Sequence, residues 1–180
     1  MATYISMLRG INVSGQKRVS MDKLVSLFES LGVQKVRTYI QSGNVVFESV
    51  KIETTELSKK IENAIERCFG FTVSVVTKTK SDFGKTIKNN PYLKDKKIDP
   101  SKLHVTFLKD APNKAEVKKL LELENDVDTF YVVGSEVYLH CPNGYGRTKF
   151  TNIYFEKKLS VTATTRNWKS VKSLFEMAGA

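Results

Sequence analysis

The chain has 180 residues, 41% of them hydrophobic, and a formal charge of +10, enough apolar material for one ordinary domain or two small ones. No apolar run approaches the roughly 20 residues that cross a bilayer, and the opening MATYISMLRG lacks the basic start, apolar middle and cleavage site of a secretion signal. These features predict a cytoplasmic protein without membrane partners, and the charge favours anionic ones, nucleic acid or phosphorylated small molecules.

In chain order, YISMLRG (4–10) reads as a strand and MDKLVSLFESLG (21–32) as a helix with Ser20 as cap and Gly32 as stop. VRTYIQ (36–41) is a second strand that turns at Ser42-Gly43 into NVVFES (44–49). TELSKKIENAIERCFG (55–70) is a longer amphipathic helix, and FTVSVVT (71–77) closes the half as a fourth strand. A lysine-rich connector with a short helical turn follows, punctuated by Asn90-Pro91 and Asp99-Pro100.

The same order then repeats. LHVTFLK (103–109) is a strand, NKAEVKKLLELE (113–124) a helix, and DTFYVV (128–133) with EVYLHC (136–141) a hairpin turning at Gly134-Ser135. TNIYFEKKLS (151–160) and VTATT (161–165) complete the second half as helix and strand, and NWKSVKSLFEMA (167–178) adds a final helix, expected to pack on that half. The order strand, helix, strand, strand, helix, strand is that of the ferredoxin-like sandwich, two helices on one face of a four-stranded antiparallel sheet. The expected fold is thus α+β, a tandem duplication of two βαββαβ units: residues 1–78, a basic connector at 79–101, and residues 102–180 with the extra helix.

Duplication supplies an internal control, because a feature carried by one half alone is not needed to fold the unit. Three such features stand out. GINVSGQKRVS (10–20) is long and basic where its counterpart is the short DAPN (110–113); its glycines allow close backbone approach, and Lys17 and Arg18 precede a helix N-terminus whose free amides favour anions. The hairpin QSGN, with Gln41 and Asn44, belongs on the same sheet edge, as does Arg9 at the end of the first strand. In the second half, PNGYGRTKFTN (142–152) replaces the plainer SVKIETT (49–55), and TTRNW (164–168) ends beside it. Arg147, Lys149 and Arg166 offer charge to a phosphate, Tyr145 or Trp168 a stacking surface, and Asn152 a polar group. Each has a plainer reading too: an omega-like loop braced by Asn12 and Gln16, ordinary turn chemistry at Ser42-Gly43, Trp168 as packing anchor with Asn167 as cap.

Four of these stretches, LRGINV with SGQKRV, YIQSGNVVF, YGRTKFTN and ATTRNW, resemble the patterns of a bacterial family described as domain of unknown function 1697. The resemblance runs from the first strand to the last helix, and it implies a duplicated α+β protein without an established activity. Where that family usually has a second Gly and a Lys, this chain has Ser14-Gly15-Gln16, so Lys17 or Arg18 would supply the charge.

Other chemistries fit less well. Gly10 and Gly15 have P-loop spacing, but Gln16-Lys17-Arg18 stands where Lys followed by Ser or Thr is required. His104 and His140 lie in strands without ligand spacing, Asp126 and Asp128 read as turn acids, and neither a metal nor a cofactor is expected. The two cysteines lack a C-x-x-C spacing and read as buried thiols. NVVFES and EVYLHC lack the RNP1 pattern of an RNA-recognition sheet. The leading expectation is non-catalytic binding of a phosphorylated ligand or nucleic acid through Arg9, Asn12, Lys17, Arg18, Gln41 and Asn44 on one edge and Tyr145, Arg147, Lys149, Asn152, Arg166 and Trp168 on another. The alternatives are an enzyme acting on a phosphorylated or nucleotide substrate near Tyr145, Asn152 or Thr165, and a protein-interaction module.

Overall fold

A computed structural model describes residues 1–123 and 126–180. The chain divides into two compact units, Met1–Lys85 with Ser173–Ala180, and Thr86–Lys172. Each is built on a four-stranded antiparallel sheet with two helices on one face, so the fold is the duplicated ferredoxin-like α+β sandwich.

In the first unit, β1 (Ala2–Leu8), β2 (Gln34–Tyr39), β3 (Asn44–Ser49) and β4 (Val75–Thr79) form a sheet in the order β2-β3-β1-β4. Helices α1 (Met21–Ser30) and α2 (Thr54–Phe69) bury Leu24, Leu27, Phe28, Leu57, Ile61 and Ile65 against Tyr4, Leu8, Val45, Phe47 and Val75 of the sheet. The spacing of those helical residues is the i, i+3, i+4 stripe that the sequence shows. Ser20 caps α1 by accepting from the Lys23 amide at 3.3 Å, and Gly70 ends α2 in the left-handed region at φ 77°, which costs glycine nothing.

In the second unit, β5 (Leu103–Leu108), β6 (Thr129–Val133), β7 (Glu136–His140) and β8 (Ala163–Asn167) take the order β6-β7-β5-β8. Helices α4 (Lys114–Leu123) and α5 (Asn152–Leu159) cover a core of Leu108, Leu120, Val137, Leu139, Phe150, Phe155, Leu159 and Ala163. The expected helix 113–124 ends in a residue, Glu124, outside the described ones. The connector holds α3 (Lys80–Lys88) and two 3-10 turns, Pro91–Lys94 and Pro100–Lys102. Asn90 and Asp99 cap those turns by accepting from the Tyr92 and Ser101 amides, with proline at the first position where no amide hydrogen is needed.

The two sheets carry corresponding hydroxyl pairs at their centres. Ser6 pairs with Thr77 and Thr106 with Thr165, and in both pairs the hydroxyl oxygens lie 2.7 Å apart. The Leu8 amide donates to Gly43 O and the Arg9 amide to Ser74 O; their counterparts run Leu108 to Ser135 and Lys109 to Thr162. Those bonds explain why both fourth strands start later than expected. Pairing ends at Leu8↔Val75 and Leu108↔Ala163, so 71–74 and 161–162 approach the sheet without joining its regular ladder.

The last helix, α6 (Trp168–Gly179), is shared: it starts in the second unit, and Ser173–Ala180 belong to the first. There the Arg37 guanidinium donates to Met177 O in the last turn of α6, the favourable placement of a cation at a helix C-terminus. The expectation of two buried cysteines holds for Cys141 alone; Cys68 is exposed because it sits in the last turn of α2 on an open groove with Leu27, Leu31 and Ala64. No helix among the described residues is long and apolar enough to cross a membrane.

Gly43 tests how tightly the hairpin is seated. Its φ is +78°, and a Cβ there would lie 2.8 Å from Ile11 Cδ1 and Leu8 Cβ, whereas at Gly10, φ +70°, nothing lies within 4 Å. Gly43→Ala should cost roughly 2–4 kcal/mol, left-handed strain plus overpacking, and Gly10→Ala about 1 kcal/mol from strain alone. Chemical denaturation of both variants measures the difference.

Candidate functional site

The loop at 10–20 is a compact, strained structure. Asn12, Ser14 and Lys17 have φ of 54°, 50° and 45° beside Gly10 and Gly15 at 70° and 74°, and left-handed backbone at non-glycine residues costs on the order of 1 kcal/mol or more each. Val13 and Gln16 form an isolated bridge that closes the loop on itself, and the Asn12 amide donates to Lys17 O. The Asn12 side chain then pins both flanks. It accepts from the Val19 amide and donates to Val19 O and to Gln41 O at 2.9 and 2.8 Å, which makes the loop and the hairpin neighbours. Lys17 reaches the other way, donating to Thr72 O at 2.8 Å.

Together loop and hairpin line a pocket of about 380 Å³ walled by Asn12, Gly15, Arg18, Val19, Ser20 and Gln41. It lies where α1 begins. Arg18 is exposed and lies over Gly15, with Nη2 3.5 Å from where a Cβ at Gly15 would stand. Arg9 and Asn44 do not line this pocket: Arg9 is half-buried just after β1, and Asn44 is fully buried, donating to Tyr39 O and Ser42 Oγ inside the hairpin.

One residue of this edge escaped the sequence reading. Ile40, next to Gln41, has φ +51° and is 52% exposed, a conformation rare for any β-branched side chain. Nothing in an isoleucine announces it from sequence. The strain concentrates where loop and hairpin meet, the kind of place where backbone cost is retained for a function.

The second edge is arranged differently. Gly144 at φ 91° leads into a 3-10 turn, Tyr145–Arg147, in which the Tyr145 ring stacks on His104 at 4.8 Å. Arg147 is exposed. Lys149 pairs with Asp126 at 3.2 Å and lies 5.3 Å from the Phe150 ring centre, and that pairing holds the Asp126 carboxyl below its ordinary range. Arg166 is buried and donates to Thr164 Oγ1 and Thr165 O, both at 2.9 Å. Burial pushes its guanidinium down to about 10, opposed by the nearby Tyr145, so it stays charged at neutral pH. The three cations of this edge therefore occupy three separate environments. Asn152 opens α5 and accepts from Thr165 Oγ1 at 2.7 Å, while Trp168 is buried at the start of α6, whose Ser170 amide donates to Asn167 Oδ1.

His104 replaces a residue with a clear job. Its counterpart in the first unit, Tyr4, donates to Ile52 O and accepts from the Ile52 amide, fastening the segment before α2. His104 instead leaves Nδ1 buried without a protein partner, and burial lowers its pKa from the ordinary value. Among the described residues, no three His, Cys, Asp or Glu lie close enough to hold a metal. The groove between α1 and α2 is larger, about 680 Å³, and its wall carries Asp22, Lys23 and Arg67, the last donating to Asn63 O, around an apolar floor of Leu27, Leu31 and Ala64.

The chain belongs to the family described as protein of unknown function DUF1697, whose model matches residues 1–138. It is also similar in structure to the conserved bacterial protein SP0830 from Streptococcus pneumoniae, with a TM-score of 0.78 and 24% identity over 98% of each chain. That similarity shows the fold. No curated protein matches the chain.

The lowered pKa of His104 has a sign that can be checked. The fold favours neutral imidazole, so its contribution is complete above the unfolded pKa near 6.5 and is lost as pH falls through the window below it. Between pH 7 and 5 the wild type should lose more stability than His104→Phe, measured as the difference in denaturation midpoints.

Proposed function

Starting from membership in a family without an assigned activity, we propose that this chain is a non-catalytic binder of a phosphorylated ligand, nucleic acid included, and that the pocket between the 10–20 loop and the 41–44 hairpin takes the phosphate. The observation that carries this reading is the strained, long loop itself. The second unit folds on the same frame with only Asp110–Asn113 in its place, so the folding of a unit gives no reason for the extra residues or for three non-glycine residues held at positive φ. Arg18 supplies an exposed fork of donors at the pocket, Gln41 a neutral amide, and the start of α1 a favourable dipole.

On the second edge Arg147 and Lys149 are both exposed, Lys149 paired with Asp126, while Arg166 is buried against its own strand. The proposal therefore ranks Arg18 first. A charge-assisted contact is worth about 1.5–3 kcal/mol, so Arg18→Ala should weaken binding at least about tenfold without changing the unfolding midpoint. Arg147→Ala serves as a control at the other edge. Labelled single-stranded RNA and DNA, followed by anisotropy over a salt series, give the readout, with nucleotides and pyrophosphate tested by calorimetry. A single-stranded polyanion should show a log-log salt slope of about 0.7 per phosphate contacted. Wild-type affinity in Arg18→Ala, or no binding by any of these probes, overturns the proposal.

A further inference from the structure

Two sheets have four edge strands, and this chain treats them unequally. β4 and β8 are largely buried, with burial of Val75, Val76 and Thr77 in one and Ala163, Thr164 and Arg166 in the other. β2 is defended. It carries Lys35 and Arg37, its register with β3 breaks between Gln34 and Arg37, and Lys35 has φ +51°. Charges and irregularities of this kind are what keep a free edge from pairing with another chain.

β6, the counterpart of β2 in the duplicated frame, has none of these defences. Its sequence is Thr-Phe-Tyr-Val-Val, five residues of high strand propensity with no charge, glycine or proline. It pairs with β7 in unbroken register from Thr129↔His140 to Val133↔Glu136, and among the described residues no strand lies on its other side. Phe130 and Val132 face the core, whereas Thr129 is exposed and Tyr131 and Val133 are 50% and 40% exposed. The Tyr131 ring is already set, edge-on against Tyr92 at 5.1 Å, and the Tyr92 hydroxyl lies 2.7 Å from Thr129 Oγ1. The edge is therefore regular in register and uncharged, and its edge position leaves main-chain donors and acceptors for another strand.

We propose that β6 is a homodimer interface, in which β6 of a second copy adds antiparallel across a two-fold axis at Tyr131. The occupant follows from the strand's own symmetry. Rotation about Tyr131 sets Tyr131 against its copy, Thr129 against Val133 and Phe130 against Val132. Every pair then joins residues of one sheet face, aromatic to aromatic, β-branched to β-branched and aromatic to β-branched, the combinations that stabilise antiparallel neighbours. No like charges meet within the paired segment. The same rotation applied to β2 would set its two basic residues, Lys35 and Arg37, beside those of the copy.

A five-residue ladder makes a small interface, so the dimer should be weak, with a Kd on the order of 10–100 µM. Each copy carries a charge of +10, and screening by salt should strengthen association. That trend is opposite to phosphate binding and keeps the two proposals separable. Sedimentation velocity on the full chain, over a micromolar to submillimolar series at low and high salt, tests it. The wild type should dimerise in a concentration-dependent way. Tyr131→Lys and Tyr131→Glu, which each oppose like charges across the axis, should weaken association at least tenfold, and an equimolar mixture of the two should restore it. A monomer throughout the series, a dimer unaffected by either variant, or two monomeric variants that fail to associate when mixed overturns the proposal.

Discussion

The arrangement of both units depends on where the central strand stops pairing. β1 gives up its regular ladder at Leu8, and the Leu8 and Arg9 amides go to Gly43 O in the hairpin and Ser74 O ahead of β4. Those two bonds bring the hairpin, the strand entry and the departing 10–20 chain to one sheet edge. Because β5 ends in the same way at Leu108 and Lys109, the second unit gathers the corresponding segments with no need for the same loop. The sheet end is a fixed socket, and the loops are what differ.

The two ends of the central strand are held by different contacts. In the first unit a single asparagine, Asn12, satisfies three backbone groups and fastens loop to hairpin, leaving Arg18 at the surface with its guanidinium in solvent. Towards the other end of the central strand, a ring stack of Tyr145 on His104 in the second unit takes the place of the Tyr4 hydroxyl that holds Ile52 in the first. Hydrogen bonding fixes one unit at that position and apolar stacking fixes the other. This exchange buries an imidazole where a phenol stood.

The repeat was legible from residues because period and punctuation agree: helical stripes ended by Gly32 and Gly70, hairpins marked by Ser42-Gly43 and Gly134-Ser135. The basic loop and its neighbour were legible as segments, since the duplication exposes what one half carries alone. Side-chain direction was not. Sequence gives Arg147, Lys149 and Arg166 equal standing, yet Arg166 is buried and bonded to its own strand while Lys149 is taken by Asp126, because burial and a partner distant in the chain are set by packing. The left-handed Ile40 was invisible for a related reason: its conformation is imposed by how the hairpin must meet the loop, against its own preference.

A last feature concerns the helices that precede the outer strands. Glu62 of α2 accepts from the Val75 amide, and Glu156 of α5 accepts from the Ala163 amide, at 2.8 and 3.0 Å. In both units a carboxylate from the helix thus satisfies the first amide of the strand that follows. The helices differ in length, 16 residues against 8, and a glycine-bearing loop leads into the shorter one. The helix is moored to the sheet through that glutamate, while its opening turns are held by different ties in the two units, Tyr4 on Ile52 ahead of α2 and Thr165 on Asn152 in α5. Those opening turns are where such a duplicated protein has freedom to innovate, since residues there can be exchanged for a loop of another chemistry while the strand beyond them stays clamped.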